Sequence, residues 1–318
     1  MYKESDKKSC LILDDIHPTF IQQATAIGFD CIQDIEMSRE KLESEIEKYQ
    51  ILVINSKVKV DKVLLDKAKK LQFVLRPGSG LEHVDLDFAA SKNIICINSP
   101  EGNCNAVAEH TICMLLMWHH QIVKPINEVK NKIWLRKENT WNELGGKTIG
   151  IIGYGNVGMA LIDKLQNFGL KILVYDKYKS GFGSEKIIES SLADIMEQAD
   201  IISLHVPLTS ETKNLIDDNF LNNCFKNVLL INTARGELVA LQTVVNGLKN
   251  KKLLGACLDV LANETFSTYS KQDNLNLEYL LNASNVLITP HIGGWTQEAK
   301  FKMADILIKK IKKYFIIN

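Results

Sequence analysis

Charge of a prevailing sign is missing from this 318-residue chain, since 38 Lys and Arg balance 38 Asp and Glu. It has neither the basic footprint that nucleic acid selects nor a polybasic membrane surface. Long apolar runs are missing too. The longest, ICMLLMW at 112–118, is far short of a membrane span and reads as buried helix. The opening MYKESDKKSC lacks the apolar core of a signal peptide, so the expected location is cytoplasmic. Paired-cysteine motifs are missing as well. The seven cysteines (10, 31, 96, 104, 113, 224 and 257) are scattered and form no CxxC. That argues against a disulfide framework or a metal site and fits free thiols in a reducing compartment. There is no tandem repeat and no low-complexity segment. KKIKKYF near the end reads as a solvated helix face.

What is there is ordinary in bulk: 46% hydrophobic and 24% charged residues, as in soluble globular proteins. The length favours two domains. Short apolar strands alternate with helical patterns. CLILDDI (10–16), ILVINS (51–56), QFVLRPG (72–78) and IICINSP (94–100) read as strands, with helices at 38–49 and 60–70. PEGNCNAV (100–107) reads as a turn-rich boundary before a long helix over 106–131. A second series follows, with strands KTIGIIG (147–153), KILVYD (171–176), DIISLHV (200–206), VLLINTA (228–234), LLGACLDV (253–260) and VLITP (286–290). An amphipathic helix at 296–315 closes the chain. This alternation predicts an α/β fold of two doubly wound parallel-sheet domains.

Gly153-Tyr154-Gly155-Asn156-Val157-Gly158 is G-x-G-x-x-G, following a strand and opening a helix. That context is the one a dinucleotide fingerprint requires. The first glycine makes the turn, the second admits the pyrophosphate, and the third lets helix and strand pack closely. The helix N-terminus then faces the phosphates. Asp176 ends the next strand, where an acid bonds the ribose hydroxyls of NAD and repels the extra phosphate of NADP. Lys177 and Lys179 stand where they could soften that preference. The expected cofactor is NAD, but this module also serves methyltransferases and sensors, so the chemistry has to come from elsewhere.

Three residues near strand ends supply it. Arg235 follows VLLINTA, Glu264 follows LLGACLDV and His291 follows VLITP. Each alone has a bland reading: a surface cation, a loop acid, a structural histidine. Together beside a nicotinamide they form a mechanism. Histidine moves a proton near neutral pH, a carboxylate orients it, and arginine's fork matches a substrate carboxylate.

At these residues the chain resembles the D-isomer-specific 2-hydroxyacid dehydrogenases. The resemblance rests on RPGSGLEHVDL (76–86), SPEGNCNAVAEHT (99–111), GIIGYGNVG (150–158), HVPLTSETKNLI (205–216), INTARGELV (231–239), LDV (258–260) and TPHIGG (289–294). It implies a flavodoxin-like substrate-binding domain at 1–102 and 292–318, and a Rossmann NAD-binding domain at 103–291. It implies that Arg235 binds the substrate carboxylate, that His291 is the acid/base and that Glu264 pairs with it. Cofactor-lining positions are implied for His205, Val206, Pro207, Thr212, Thr233, Ala234, His291 and Gly293, and Asp259 is implied near the nicotinamide. Ser79 and Gly80 are implied to hold the carboxylate by backbone N–H groups, with Asn103 nearby. The partner is a small 2-hydroxy or 2-oxo acid, and the assembly a homodimer. Neither nucleic acid nor membrane is expected.

Two positions depart from the family pattern. Leu261 stands where an aromatic is common, and Thr265 where a proline commonly follows the glutamate. Within the family the phosphoglycerate branch is most alike, which implies 3-phosphoglycerate as substrate, in serine biosynthesis. Arg76, Arg136 and Lys57 are the candidate phosphate-end cations. No added C-terminal regulatory domain is expected. A glyoxylate or hydroxypyruvate reductase is the alternative enzyme, and an NAD(H)-sensing regulator the alternative of another class. A formate dehydrogenase would carry glutamine where Glu264 stands.

Overall fold

The structure, a computed structural model, describes residues 8–55 and 58–315. The chain divides into two compact units. One comprises Met1–Cys104 with Gly294–Asn318, and the other comprises Asn105–Gly293.

In the first unit β1 (Lys8–Ile12), α1 (Thr19–Ala26), β2 (Phe29–Gln33), α2 (Arg39–Glu45), β3 (Ile51–Val53), α3 (Lys62–Lys67), β4 (Phe73–Arg76), α4 (Leu86–Ser91) and β5 (Ile95–Asn98) follow in order. The sheet is parallel throughout and runs β2-β1-β3-β4-β5. That is the flavodoxin-like winding. Both faces are covered, so alternate residues of one strand enter different cores. Leu11, Leu52 and Val74 pack on one side; Cys10, Ile12, Ile51, Val53 and Phe73 pack on the other.

Helix α5 (Pro100–His119) runs from the first unit into the second, and α6 (Val123–Lys130) follows. The second unit continues with β6 (Thr148–Ile152), α7 (Asn156–Leu165), β7 (Lys171–Tyr175), β8 (Ile188–Glu189), α8 (Leu192–Gln198), β9 (Ile201–Leu204), α9 (Asp218–Asn223), β10 (Val228–Asn232), α10 (Leu241–Lys249), β11 (Leu253–Leu258), α11 (Lys271–Asn282) and β12 (Val286–Ile288). Its sheet, also parallel, runs β12-β11-β10-β9-β6-β7-β8. This is the dinucleotide-binding order with a seventh strand added beyond β11. Residues of β6, β9 and β10 are buried, as a sheet covered on both faces demands. Finally α12 (Gln297–Lys312) returns to the first unit, where Ala304, Leu307, Ile308 and Ile311 close one face of its sheet. Among the described residues no helix is long and apolar enough to cross a membrane.

One stretch corrects the sequence expectation. Residues 100–107 are not a turn; α5 already begins at Pro100. Proline suits the first helical position, where its missing N–H costs nothing. Gly102 is there for packing, because a Cβ on it would press on the Met303 backbone of α12. Nor does one helix reach residue 131. Gln121 takes a left-handed conformation, with its N–H on Trp118 O (3.1 Å) and the Ile122 N–H on Met117 O (3.0 Å). That pair of bonds is a Schellman closure, made here without glycine.

Candidate active site

Strand register fixes what stands at the carboxyl edge of the second sheet. Tyr175, Ile152, Leu204, Asn232, Leu258 and Ile288 are successive partners across it. The next residue of each strand therefore forms one row: Asp176, Gly153, His205, Thr233, Asp259 and Thr289. Neighbouring strands lie about 4.8 Å apart, so residues far apart in sequence share this rim. The chain crosses over between β6 and β9, where open α/β sheets bind their ligands. An open depression of about 370 Å³, lined by Thr148, Lys171, Phe225 and Lys226, lies at the opposite edge of the sheet and contains none of these residues.

The glycines each have a definite task. Gly153 turns at φ +110°, and a Cβ on it would stand 2.5 Å from His205 O. A Cβ on Gly158 would overlap the Gly153 carbonyl. Around Gly155 nothing lies within 4 Å of an added Cβ. Gly155 is also the N-cap of α7 and caps it with no side chain. Open space therefore faces backbone N–H groups at a helix N-terminus, which fits a pyrophosphate. Asp176 accepts from the N–H groups of Tyr154 (2.8 Å), Tyr178 (2.9 Å) and Lys179 (3.1 Å). The acid thereby fastens the fingerprint turn. Lys179 Nζ donates to Tyr154 O at 2.6 Å, Lys177 pairs with Glu211 at 2.8 Å, and the Tyr154 ring stacks on Phe182. Thr212 donates to Pro207 O at 2.6 Å, which folds the segment after Val206. His205 has one ring nitrogen on Ser203 Oγ at 2.8 Å, while its buried Nδ1 has no partner among the described residues. Burial pushes its pKa down to about 4.

At the other end of the row, His291 Nδ1 lies 2.8 Å from Glu264 Oε1 and 3.1 Å from Oε2. His291 sits at φ +56°, with its N–H on Asp259 O at 2.8 Å. Asp259, only 2% exposed, holds this turn. Its carboxylate accepts from Thr289 Oγ1 (2.6 Å), Ile292 N (3.0 Å) and Gly293 N (2.8 Å), with His110 Nε2 at 3.3 Å. Burial raises its pKa, but these donors outweigh burial and leave it below the ordinary carboxylate value. Sequence reasoning missed His110 and Thr289. Their signal was weak, a histidine inside α5 and a threonine after β12, and only the fold joins them to Asp259.

Arg235 follows β10 in extended conformation, and its guanidinium donates to Ala234 O at 2.7 Å. Buried Asn232 shapes this corner by accepting from Ala234 N–H and donating to Arg235 O. A Cβ on Gly236 would overlap the Leu261 backbone, so the Arg235 loop lies directly against the segment leading to Glu264. Thr233 bonds Thr111 of α5 at 3.0 Å. Arg136 is exposed in the segment after α6.

The remaining candidates lie in the first unit. Ser79 Oγ donates to Asn103 Oδ1 at 3.2 Å, and Asn98 Nδ2 donates to Ser79 O at 2.6 Å. Gly80 is half-buried beside them. Arg76 ends β4 and donates to its own neighbour's carbonyl, Pro77 O. Lys57 lies outside the described residues. Among those described, no three His, Cys, Asp or Glu side chains converge as metal ligands.

Residues 112–293 match the family described as D-isomer specific 2-hydroxyacid dehydrogenase, NAD binding domain. The chain is 31% identical over 303 residues to the D-3-phosphoglycerate dehydrogenase of Homo sapiens, covering 94% of this chain and 55% of that one. Against the D-3-phosphoglycerate dehydrogenase of Methanocaldococcus jannaschii it is 33% identical over 310 residues, covering 95% and 56%. The chain thus spans about half the length of the curated relatives it matches. Among solved structures, the D-lactate dehydrogenase from Aquifex aeolicus complexed with NAD and lactic acid superposes with a TM-score of 0.84. It is 26% identical, with 96% of this chain and 95% of that one covered.

Proposed function

This chain belongs to the D-isomer-specific 2-hydroxyacid dehydrogenase family, and from that premise we propose that it catalyses reversible NAD-linked oxidation of a D-2-hydroxyacid to the 2-oxoacid. The observation that carries the reading is the His291–Glu264 pair, 2.8 Å apart in the unit that holds the glycine fingerprint. A carboxylate only accepts, so Nδ1 of His291 carries a proton, and in the neutral ring Nε2 then keeps its lone pair. In oxidation, Nε2 takes the hydroxyl proton of the substrate while the C2–H bond breaks with its electron pair. NAD, when bound, supplies the acceptor for that hydride. Glu264 stabilises the imidazolium that forms. Arg235 binds the substrate carboxylate and, in reduction, polarises the carbonyl.

The substrate we assign is 3-phosphoglycerate, oxidised to 3-phosphohydroxypyruvate, the entry to serine synthesis. Its support is the name shared by the curated relatives, together with the candidate cations Arg76, Arg136 and Lys57. The first unit is the proposed substrate-binding domain, with Ser79, Gly80 and Asn103 at the carboxylate. A short unphosphorylated 2-oxoacid is the second reading. It is favoured by the lactate-bound solved relative. The assembly is a homodimer in this reading. Helix α6 buries none of its residues in the protomer and exposes Val123, Ile126 and Val129. A cytoplasmic site of action suits the seven free cysteines.

The test is NADH oxidation with phosphohydroxypyruvate, hydroxypyruvate, glyoxylate, pyruvate and 2-oxoglutarate. Turnover with the phosphorylated compound alone is expected. Preference for pyruvate or glyoxylate would move the assignment to the second reading, and no turnover at all would favour an NAD(H) sensor. Arg136→Ala should weaken phosphohydroxypyruvate far more than hydroxypyruvate; equal effects would remove Arg136 from the phosphate end.

A further inference from the structure

We propose that Tyr269, acting through Asn263, is a positioning residue that holds Glu264 against His291. The proposal rests on the catalytic reading of that pair given above. Glu264 is 48% exposed, and the whole stretch from residue 262 to 268 is exposed. Packing therefore does not place the carboxylate, and its restraint has to come from the hydrogen bonds of its own loop. Asn263 supplies them on both sides of Glu264. Its Oδ1 accepts from Thr265 N–H at 2.9 Å, which closes a turn with Glu264 at its centre. Its Nδ2 donates to Thr268 Oγ1 at 2.8 Å, and that hydroxyl donates to Thr265 O at 2.8 Å.

At the far end of the loop, Tyr269 ties it to the interior. Tyr269 packs against the core of the second unit and meets Phe266 edge-on, with ring centroids 5.4 Å apart. Its hydroxyl donates to the Asn263 carbonyl at 2.5 Å. Tyr269 thus passes the fixity of the core to the residue before Glu264. Thr265 gives the backbone no ring to fix φ, so these bonds supply the restraint that the sequence leaves out.

The first measurement needs neither substrate nor cofactor. Ring ¹⁵N shifts of histidine-labelled protein, at a pH where the imidazole is neutral, report which nitrogen of His291 carries the proton. In the native protein Nδ1 carries it, and Glu264→Ala abolishes that preference. Tyr269→Phe keeps the ring in the core and loses only the hydroxyl. It should cut the Nδ1–H population by about twofold and lower kcat by about 3- to 10-fold, in line with the cost of loosened orientation. Melting temperature and the KM for NADH should stay unchanged. Asn263→Ala, an exposed substitution, should act in the same direction. A native tautomer ratio and native kcat in both variants would overturn the proposal. Absence of any Nδ1–H preference in the native protein would overturn the Glu264–His291 pairing itself, and Tyr269's role with it. A failure confined to substrate turnover leaves the ¹⁵N result standing and points instead to a wrong substrate.

Discussion

Glu264 meets Nδ1 of His291 at 2.8 Å, and the backbone of His291 is left-handed at φ +56°. The proposed catalytic contact and an uncommon backbone thus coincide at one position. Asparagine tolerates positive φ better than most residues. His291→Asn should therefore keep the fold and NADH binding while turnover falls by about 10²–10⁴-fold, the range for a positioned acid/base. His291→Ala should lose comparable activity and be the less stable of the two. Steady-state rates with NADH titrations check this, and near-native turnover in His291→Asn would remove His291 from proton transfer.

The fingerprint glycines should separate by function. Gly158 faces the Gly153 carbonyl with no room for a methyl group, whereas Gly155 faces open space at a negative φ of −92°. Gly158→Ala should cost about 3 kcal/mol of stability by overpacking. Gly155→Ala should stay within ~0.5 kcal/mol of native and weaken NADH by at least about tenfold, or 1.4 kcal/mol. Urea unfolding and NADH fluorescence titration measure the two effects. Native affinity in Gly155→Ala would place the pyrophosphate elsewhere.

Most of this site was legible because it follows strand ends. Once IGII, VLLIN and GACL read as buried parallel strands, register alone puts Gly153, Thr233 and Asp259 on one rim. What stayed hidden has physical causes. Strand β2 is an edge strand with a largely exposed sequence, FDCIQ, and β8 is two exposed residues, so neither carries a hydrophobic signature. Pro100, Gly102 and Asn103 look like breakers, yet one starts a helix and another packs on α12. The end of α5 uses a left-handed glutamine, which no propensity announces. Asp259 was expected beside the nicotinamide, but its hydrogen bonds to Thr289, Ile292 and Gly293 appear only in three dimensions.

His205 predicts a pH dependence of stability. Burial lowers its pKa to about 4, below the usual value of 6.5. Between those values the unfolded chain binds more protons, so stability falls as pH drops from about 6.5 toward 4. At about 1.4 kcal/mol per unit, the full loss has an upper bound of roughly 3 kcal/mol. His205→Gln cannot take up this proton. Its urea-unfolding free energy should decline less than that of the native protein between pH 7 and pH 4.5. Parallel profiles would mean that His205 contributes nothing to the acid sensitivity.

Asp176 is the residue we propose sets the choice between NAD and NADP. Three backbone N–H groups converge on its carboxylate, a negative charge just past the end of β7. That charge would repel a 2′-phosphate on the ribose. The two cations that could offset it are engaged elsewhere, Lys179 on Tyr154 O and Lys177 on Glu211. The native protein should therefore prefer NAD in kcat/KM. Asp176→Ala removes the charge and leaves the two lysines in place. It should lower the NAD-to-NADP preference by on the order of 10²-fold, since like charges brought together cost several kcal/mol. Some stability should go with it, because the Tyr154 N–H loses its acceptor. Both ratios come from initial rates with each cofactor at limiting concentration. Equal or better use of NADP by the native protein would refute the discrimination assigned to this carboxylate.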